Sequence, residues 1–420
     1  MTNPINQSYF LPFGAGQLSV ELNHRRVCLL APAKLPPLQS PYSAIMATLN
    51  NPHGSKPLSQ LLSDHSRIAI IVNDHTRPTP TRLLLSPILD LLSQVGIPDH
   101  SISIVFALGA HEPLAPDQMA SIVGLTAYSR FTCENSGARG FVQMGQTLRG
   151  TPVEIDRSVV EADFVIATGE VELHFFAGYS GGAKAIVPGV SSFRAITANH
   201  SLLKNPNATS GEIDENPVRL DLEEAADLVP HLFCLNIVLD EHQQIVACVS
   251  GDHRLAHRVA VSIVDQMYKR PLTEAAAVVI ASGGGWPRDI NLYQAQKALE
   301  HACKAVKPGG TIILLAACSN GLGNPAMERW FQEVRSPEEC IHRLTCNFEL
   351  GGYSAAGFAR LSRHAHIFLY SELAPNQAKL AFMQSIRNLQ ETIEKALSAH
   401  PNELVVVMPF ASATLPILLR

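Results

Sequence analysis

The sequence predicts an α/β protein of two domains, a larger N-terminal one over 1–270 and a smaller C-terminal one over 271–420. Short apolar runs alternate with longer stretches of helical period, the pattern of strands layered with helices. The alternation restarts after Arg270-Pro271, and 420 residues suffice for two or three cores. A cleft between two such domains is the usual place for a site, and the active site is expected there.

In chain order, RIAIIVN (67–73) reads as a buried strand, followed by the turn-rich DHTRPTP and a helix from Thr81 to Gly96. Residues 101–108 and 163–168 read as further strands, with a loop at Gly109–Pro113 after the first. Runs 232–239 and 244–249 flank Asp240-Glu241-His242 and suggest a hairpin, and 253–269 carries a helical pattern that ends at the expected domain border. Beyond it come strand 276–282, a helix from Asn291 to Val306, strand 311–318, a helix over 380–398 and strand 403–410.

Composition narrows the function classes. With 46% apolar and 16% charged residues and a mean hydropathy of +0.10, the chain reads as an ordinary globular protein. The net charge of −5 comes from 32 Lys and Arg against 37 Asp and Glu, which argues against a nucleic-acid footprint. No run of 18 apolar residues suggests a membrane span, and the first residues lack the charged-then-apolar order of a secretory signal. Eight dispersed cysteines without a CxxC pair point to reduced thiols, hence a cytoplasmic location.

Four segments carry candidate chemistry. Asp74-His75-Thr76-Arg77-Pro78-Thr79-Pro80 stands at the carboxyl end of a predicted strand, where open α/β sheets bind ligands. Its Asp could hold a hydroxyl pair and its Arg a carboxylate or phosphate, although an N-cap Asp and a surface Arg would read the same way. His111 tips the turn Gly109-Ala110-His111 after the next strand, where an imidazole can serve as a general base or simply meet solvent. The stretch Glu172–His200 packs His174, the turn Gly178-Tyr179-Ser180-Gly181-Gly182, Lys184 and His200 together. It is not a P-loop, because Ala183 and Ala185 stand where Gly and Ser or Thr belong, and its histidines lack HExxH spacing. Its turn could still cradle one phosphate on backbone N–H groups. Lastly, Gln294 and Lys297 are three apart on a predicted helix and share a face, though a solvated face would look alike. The run Gly283-Gly284-Gly285 before them is no dinucleotide fingerprint.

Together these blocks (DxTRPTP at 74–80, GAH at 109–111, ELHFFxGYSGGxKxIxPG at 172–189, NH at 199–200 and PxDxNLYQxxK at 287–297) resemble the nickel-dependent lactate racemase family along essentially the whole chain. The resemblance implies a two-domain α/β isomerase, a racemase or epimerase of a small 2-hydroxy acid. Its cofactor would be the nickel-pincer nucleotide, a pyridinium-3-thioamide-5-thiocarboxylic acid mononucleotide made by separate enzymes, which binds nickel through two sulfurs and a ring carbon. Lys184 would tether it covalently and His200 would complete the nickel coordination, a ligand set suited to nickel(II). His111 and His174 would be the two acid/base groups. Asp74, Thr76 and the turn Gly178, Tyr179, Ser180, Gly181 and Gly182 would hold ribose and phosphate, while Arg77, Gln294 and Lys297 would orient the substrate. A hydride-transfer oxidoreductase and a non-catalytic cofactor carrier are the alternatives, and both acid/base histidines speak against the carrier. Asn320-Gly321-Leu322-Gly323, Tyr353 and Cys133-Glu134-Asn135 depart from the family pattern, which leaves the choice of 2-hydroxy acid open.

Overall fold

A computed structural model of the chain describes residues 5–63, 66–77, 79–346 and 349–419. Pro78 of the first motif lies outside them. Two compact units emerge: Lys34–Gln266 forms one, and the chain up to Ala33 together with Met267 onward forms the other. The expected border at 270 thus falls close to the division after Gln266, but the first 33 residues belong with the C-terminal half. The expected N-terminal domain is corrected accordingly.

The unit Lys34–Gln266 is built on a six-stranded sheet. Its spatial order is Ile245–Gly251, Leu232–Leu239, Phe164–Glu170, Ile68–Asn73, Ile102–Ala107 and Thr132–Asn135. All neighbours run parallel except Ile245–Gly251, the antiparallel half of the hairpin expected from sequence. Phe164–Glu170 is buried at every position and Ile68–Asn73 at all but the last, as strands covered on both faces should be. Helix Thr81–Val95 covers one face with Leu84, Leu85, Ile88, Leu91 and Leu92, and Gly96 ends it in the left-handed region at φ 89°.

The second unit has its own six-stranded, all-parallel sheet: Gln384–Ile386, His366–Tyr370, Val306–Leu315, Ala276–Ser282, Val405–Met408 and Val27–Leu29. In the hairpin Ile5–Phe13 and Gly16–His24 the second strand alternates exposed and covered residues from Leu18 to His24, and the hairpin lays Leu11, Val20 and Leu22 on the core formed by Val278, Ile280, Ile313 and Val407. That packing, with the pairing of Val27–Leu29 to Val405–Met408, is why the first 33 residues join this unit.

Three further expectations change. Arg270-Pro271, expected at the domain border, lies within a strand: Lys269–Leu272 pairs with Leu415–Leu418 in a two-stranded ribbon, where an edge proline is tolerated. The strand expected at 311–318 runs from Val306 to Leu315, and the chain leaves the sheet before Cys318 at φ 53°. The helix expected over 380–398 is Leu389–Ala399 only. Asn388 caps it by accepting the Glu391 N–H, and Gln384–Ile386 before it is the edge strand of the sheet.

Candidate functional site

In the unit Lys34–Gln266, three neighbouring parallel strands present their carboxyl ends on one edge, and a candidate residue follows each. Asp74 follows Ile68–Asn73, His111 follows Ile102–Ala107, and His174 follows Phe164–Glu170. The Asp74 carboxylate is buried. Its Oδ2 lies 2.6 Å from Nδ1 of the half-exposed His111, and its Oδ1 accepts from the Thr76 hydroxyl at 2.6 Å and N–H at 3.1 Å. Burial works to raise the Asp74 pKa, but the hydrogen bonds from His111 and Thr76 outweigh it and hold the carboxyl below its ordinary value. An ionised Asp74 only accepts, so His111 donates from Nδ1. Arg77 is half-buried just beyond, its N–H 3.4 Å from the Asp74 carbonyl.

The His111 loop is tied to the Lys184 segment. Gly109, at φ 58°, donates its N–H to the Gly189 carbonyl at 3.0 Å, and the Gly189 N–H donates to the Lys184 carbonyl at 3.1 Å. His174 pairs across a two-residue ladder with Gly178, in the short strands Leu173–His174 and Gly178–Tyr179. The Ala177 N–H lies 3.3 Å from His174 Nδ1, and His174 Nε2 lies 3.0 Å from Lys184 Nζ, an ammonium that can only donate.

Phe176 packs between these groups. Its ring meets His174 edge-on at 4.4 Å and His200 edge-on at 4.9 Å, and Lys184 Nζ stands 5.2 Å over its face. His200 sits on helix Phe193–Ser201, which the Ser192 hydroxyl caps by accepting the Ala195 N–H at 3.1 Å. Burial, then the charge of Lys184, pushes the His200 imidazole down to about 3 against a weaker opposing contact at Ile196, so the ring is neutral. Its Nδ1 is buried without a hydrogen-bond partner among the described residues.

The turn 178–182, expected to hold ribose and phosphate, also meets a packing demand. Gly178, Gly181 and Gly182 all have positive φ, and a Cβ on Gly178 would sit 1.8 Å from the Glu212 carbonyl oxygen. The backbone N–H groups meant for an anion are largely used within the fold: Tyr179 donates to Ala177, Ser180 to Glu172, and Gly182 to the Asn236 side chain. The Tyr179 hydroxyl is bonded to Asp265, and Ser180 Oγ donates to the Glu170 carbonyl at 2.9 Å.

The carbonyls of this turn are held by residues that sequence reasoning passed over. Arg219 is fully buried and donates to the carbonyls of Ala177 at 3.3 Å, Gly181 at 3.4 Å and Tyr179. Burial pulls its guanidinium down to about 10, against the neighbouring Glu223, and Glu223 also takes Arg254 and Arg258, each at 2.7 Å. His257 donates from Nε2 to the Ser180 carbonyl at 2.8 Å. Nothing in PVRLDLEEAAD marks Arg219 as buried, because an Arg on an amphipathic helix ordinarily faces water. Phe176 lies inside the quoted motif, yet an aromatic residue there reads as core.

Gln294 and Lys297 lie in the other unit, on helix Leu292–Ala305, whose cap Asn291 accepts the Gln294 N–H at 2.9 Å. Gln294 is exposed and Lys297 half-buried. Among the described residues no helix is long and apolar enough to cross a membrane.

Comparison with known proteins places this geometry. The family described as the lactate racemase N-terminal domain matches residues 13–211, and the lactate racemase C-terminal domain matches 272–412. A lactate racemase of Thermoanaerobacterium thermosaccharolyticum is 33% identical over 342 residues, 80% of each chain. One of Lactiplantibacillus plantarum is 32% identical over 367 residues, covering 85% of this chain and 86% of its own. The solved lactate racemase apoprotein of T. thermosaccharolyticum superposes with a TM-score of 0.91 at 29% identity, over 98% of this chain and 100% of that one. A Thermotoga maritima structure with a TM-score of 0.68 and 16% identity, covering 92% of this chain and all of its own, shares the fold alone. The chain belongs to the lactate racemase family of isomerases.

Proposed function

We infer that the protein inverts C2 of a 2-hydroxy acid, as a racemase or epimerase, using a nickel-pincer nucleotide tethered at Lys184. The observation that carries this reading is the pair of imidazoles on one sheet edge, one held by a buried carboxylate and the other beside the Lys184 amine. His111 is held by Asp74 at 2.6 Å, and His174 Nε2 lies 3.0 Å from Lys184 Nζ. A reaction that removes a proton from one enantiomer and returns it to form the other can use two such acid/base groups.

The residues also suit the cofactor. Lys184 Nζ is at hand for a thioamide, and His200 offers a neutral, buried ring with an unmet nitrogen, the state a metal ligand needs. No three His, Cys, Asp or Glu side chains converge on a metal-sized site among the described residues, and a nickel held by its own sulfur and carbon donors requires only one protein ligand. When bound, the nucleotide would take up and return the C2 hydride, with a 2-keto acid formed in between. His111 would accept the substrate hydroxyl proton on one face, and His174 would supply a proton to the carbonyl oxygen from the other. Exchange of these states serves the reverse direction. Arg77, Gln294 and Lys297 are the proposed carboxylate-orienting groups, and the Lys184 segment is the anchor of the cofactor. The protein works in the cytoplasm alongside the enzymes that make this nucleotide.

Lactate is the first substrate to try, because the relatives carry that name. The test uses protein matured with the cofactor-making enzymes. A mass increment on Lys184 is expected, together with C2 exchange of at least one acid among lactate, malate, aryl-lactates and sugar acids. A Lys184 adduct with no exchange of any 2-hydroxy acid would overturn the assignment, and stoichiometric keto acid with an external acceptor would mark an oxidoreductase.

A further inference from the structure

The loop that carries His111 leaves the core at one leucine and re-enters it at another. Leu108 and Leu114 are both buried in the core beside the sheet, while residues 110–113 between them are exposed. Surface excursions of this kind are ordinarily more mobile than the elements they connect. Here both ends are tied to consecutive residues at the carboxyl end of strand Thr132–Asn135. On one side the Ser136 hydroxyl accepts the Leu108 N–H at 3.2 Å and lies 3.4 Å from the Gly189 carbonyl, the group that also takes the Gly109 N–H. On the other side Asn135 takes both backbone groups of Leu114: its Oδ1 accepts the N–H at 3.1 Å, and its Nδ2 donates to the carbonyl at 2.9 Å. One backbone donor and one backbone acceptor dictate which way the amide faces. A side chain that bonds both groups of one residue acts as a neighbouring strand would, fixing the loop in place and in tilt. The clamp is itself anchored, because Thr132–Asn135 pairs in parallel with Ile102–Ala107 and the Ser136 N–H donates to the Phe106 carbonyl at 3.0 Å.

We propose that Asn135 is a positioning residue that holds His111 against Asp74 by clamping the backbone of Leu114. The route runs from the Asn135 amide to Leu114, back along the chain to His111, and from Nδ1 to Asp74 Oδ2 at 2.6 Å. Asp74 follows a different strand, Ile68–Asn73, and its carboxylate is buried and bonded to Thr76, so it does not follow a loop that shifts. A displacement of about 1 Å in a reacting group can cost on the order of 10²-fold in rate. The proposal rests on the reading of His111 as an acid/base group, but the bond from its ring to Asp74 is measurable without turnover.

Asn135→Asp and Asn135→Ala test it. Aspartate has the shape of asparagine and still accepts the Leu114 N–H, but it sets an oxygen against the Leu114 carbonyl, and alanine removes both bonds. Nitrogen-15 spectra of histidine-labelled protein lacking cofactor, read through the carbon-bound ring protons at a pH where free imidazole is neutral, report which nitrogen carries the proton. The His111 signals are identified by their loss in His111→Gln. In wild type the Asp74 bond should keep the proton on Nδ1. In both variants a share of the Nε2–H form, which an imidazole in water prefers, should appear. Once loaded, both should lose about 10–10²-fold in kcat with KM within about threefold and the mass increment on Lys184 unchanged. Folded variants with the wild-type His111 spectrum overturn the proposal, and so does a shifted spectrum with wild-type kcat. Failure of both variants to fold assigns Asn135 to the fold alone and overturns it equally. A shifted spectrum in a chain whose wild type exchanges no 2-hydroxy acid would sustain the clamp while removing the functional reading.

Discussion

The Asp74 carboxylate, buried at the end of a central strand, holds Nδ1 of the half-exposed His111 at 2.6 Å. Rigid scaffold and solvent-facing imidazole are thus joined by one charge-assisted bond, an arrangement by which a carboxylate can fix an imidazole's tautomer. Asp74→Asn replaces an obligate acceptor with a group that can donate to Nδ1 and so place the proton on the wrong nitrogen. The loaded variant should remain folded and lose about 10²–10⁴-fold in kcat, as read by chiral chromatography of the product.

The two histidines should separate from the tether. His111→Ala and His174→Ala are each expected to abolish enantiomer interconversion while intact-protein mass still reports the Lys184 adduct. Continued turnover in either would sink the two-base assignment. Lys184→Ala should lose the adduct and the activity together.

The glycine turn makes a prediction about stability. Gly178→Ala meets the Glu212 carbonyl oxygen at 1.8 Å from its Cβ while holding φ at 73°, so it should cost roughly 2–4 kcal/mol. Gly309, at φ 76° with nothing within 4 Å of its Cβ, is the control and should lose only about 1 kcal/mol as Ala. Urea midpoints of the two variants check the difference.

Burial raises the Glu300 carboxyl to about 7 from its ordinary 4.5, although Gln296, Arg360, Lys304 and Lys297 all work against it. Between these values the folded chain holds more protons than the unfolded one. Glu300 therefore makes stability fall as pH rises from about 4.5 to about 7. Glu300→Gln should flatten that slope and be relatively more stable than wild type above about pH 7, as followed by the melting temperature across the range.

The strands that carry the site were legible because buried parallel strands announce themselves as apolar runs. Phe164–Glu170 and Ile68–Asn73 lie within two residues of their expected bounds. The role of the glycine turn was not legible. Gly178, Gly181 and Gly182 look the same in sequence whether their amides face an anion or their missing Cβ atoms admit Glu212, Val171 and His257. Arg219 and Asn216 were hidden for a related reason, since a helix start marked Asn-Pro and an Arg one turn on are ordinary surface signals. Only the fold reveals that both donate to the segment Phe176–Gly181. The membership of residues 5–33 was equally hidden, because a strand as short as Val27–Leu29 is specified by its partner Val405–Met408 and not by its own three residues.

That last pairing sets an order of assembly. In sequence, one unit is inserted between the two parts of the other, so a ribosome finishes Lys34–Gln266 while Val27–Leu29 still awaits a partner more than three hundred residues downstream. The unit bearing His111, His174 and Lys184 can therefore be complete before the hairpin Ile5–His24 finds its core. A fragment cut from Met267 onward would emerge with the edge of its sheet bare, an invitation to self-association that the intact chain covers with its own beginning.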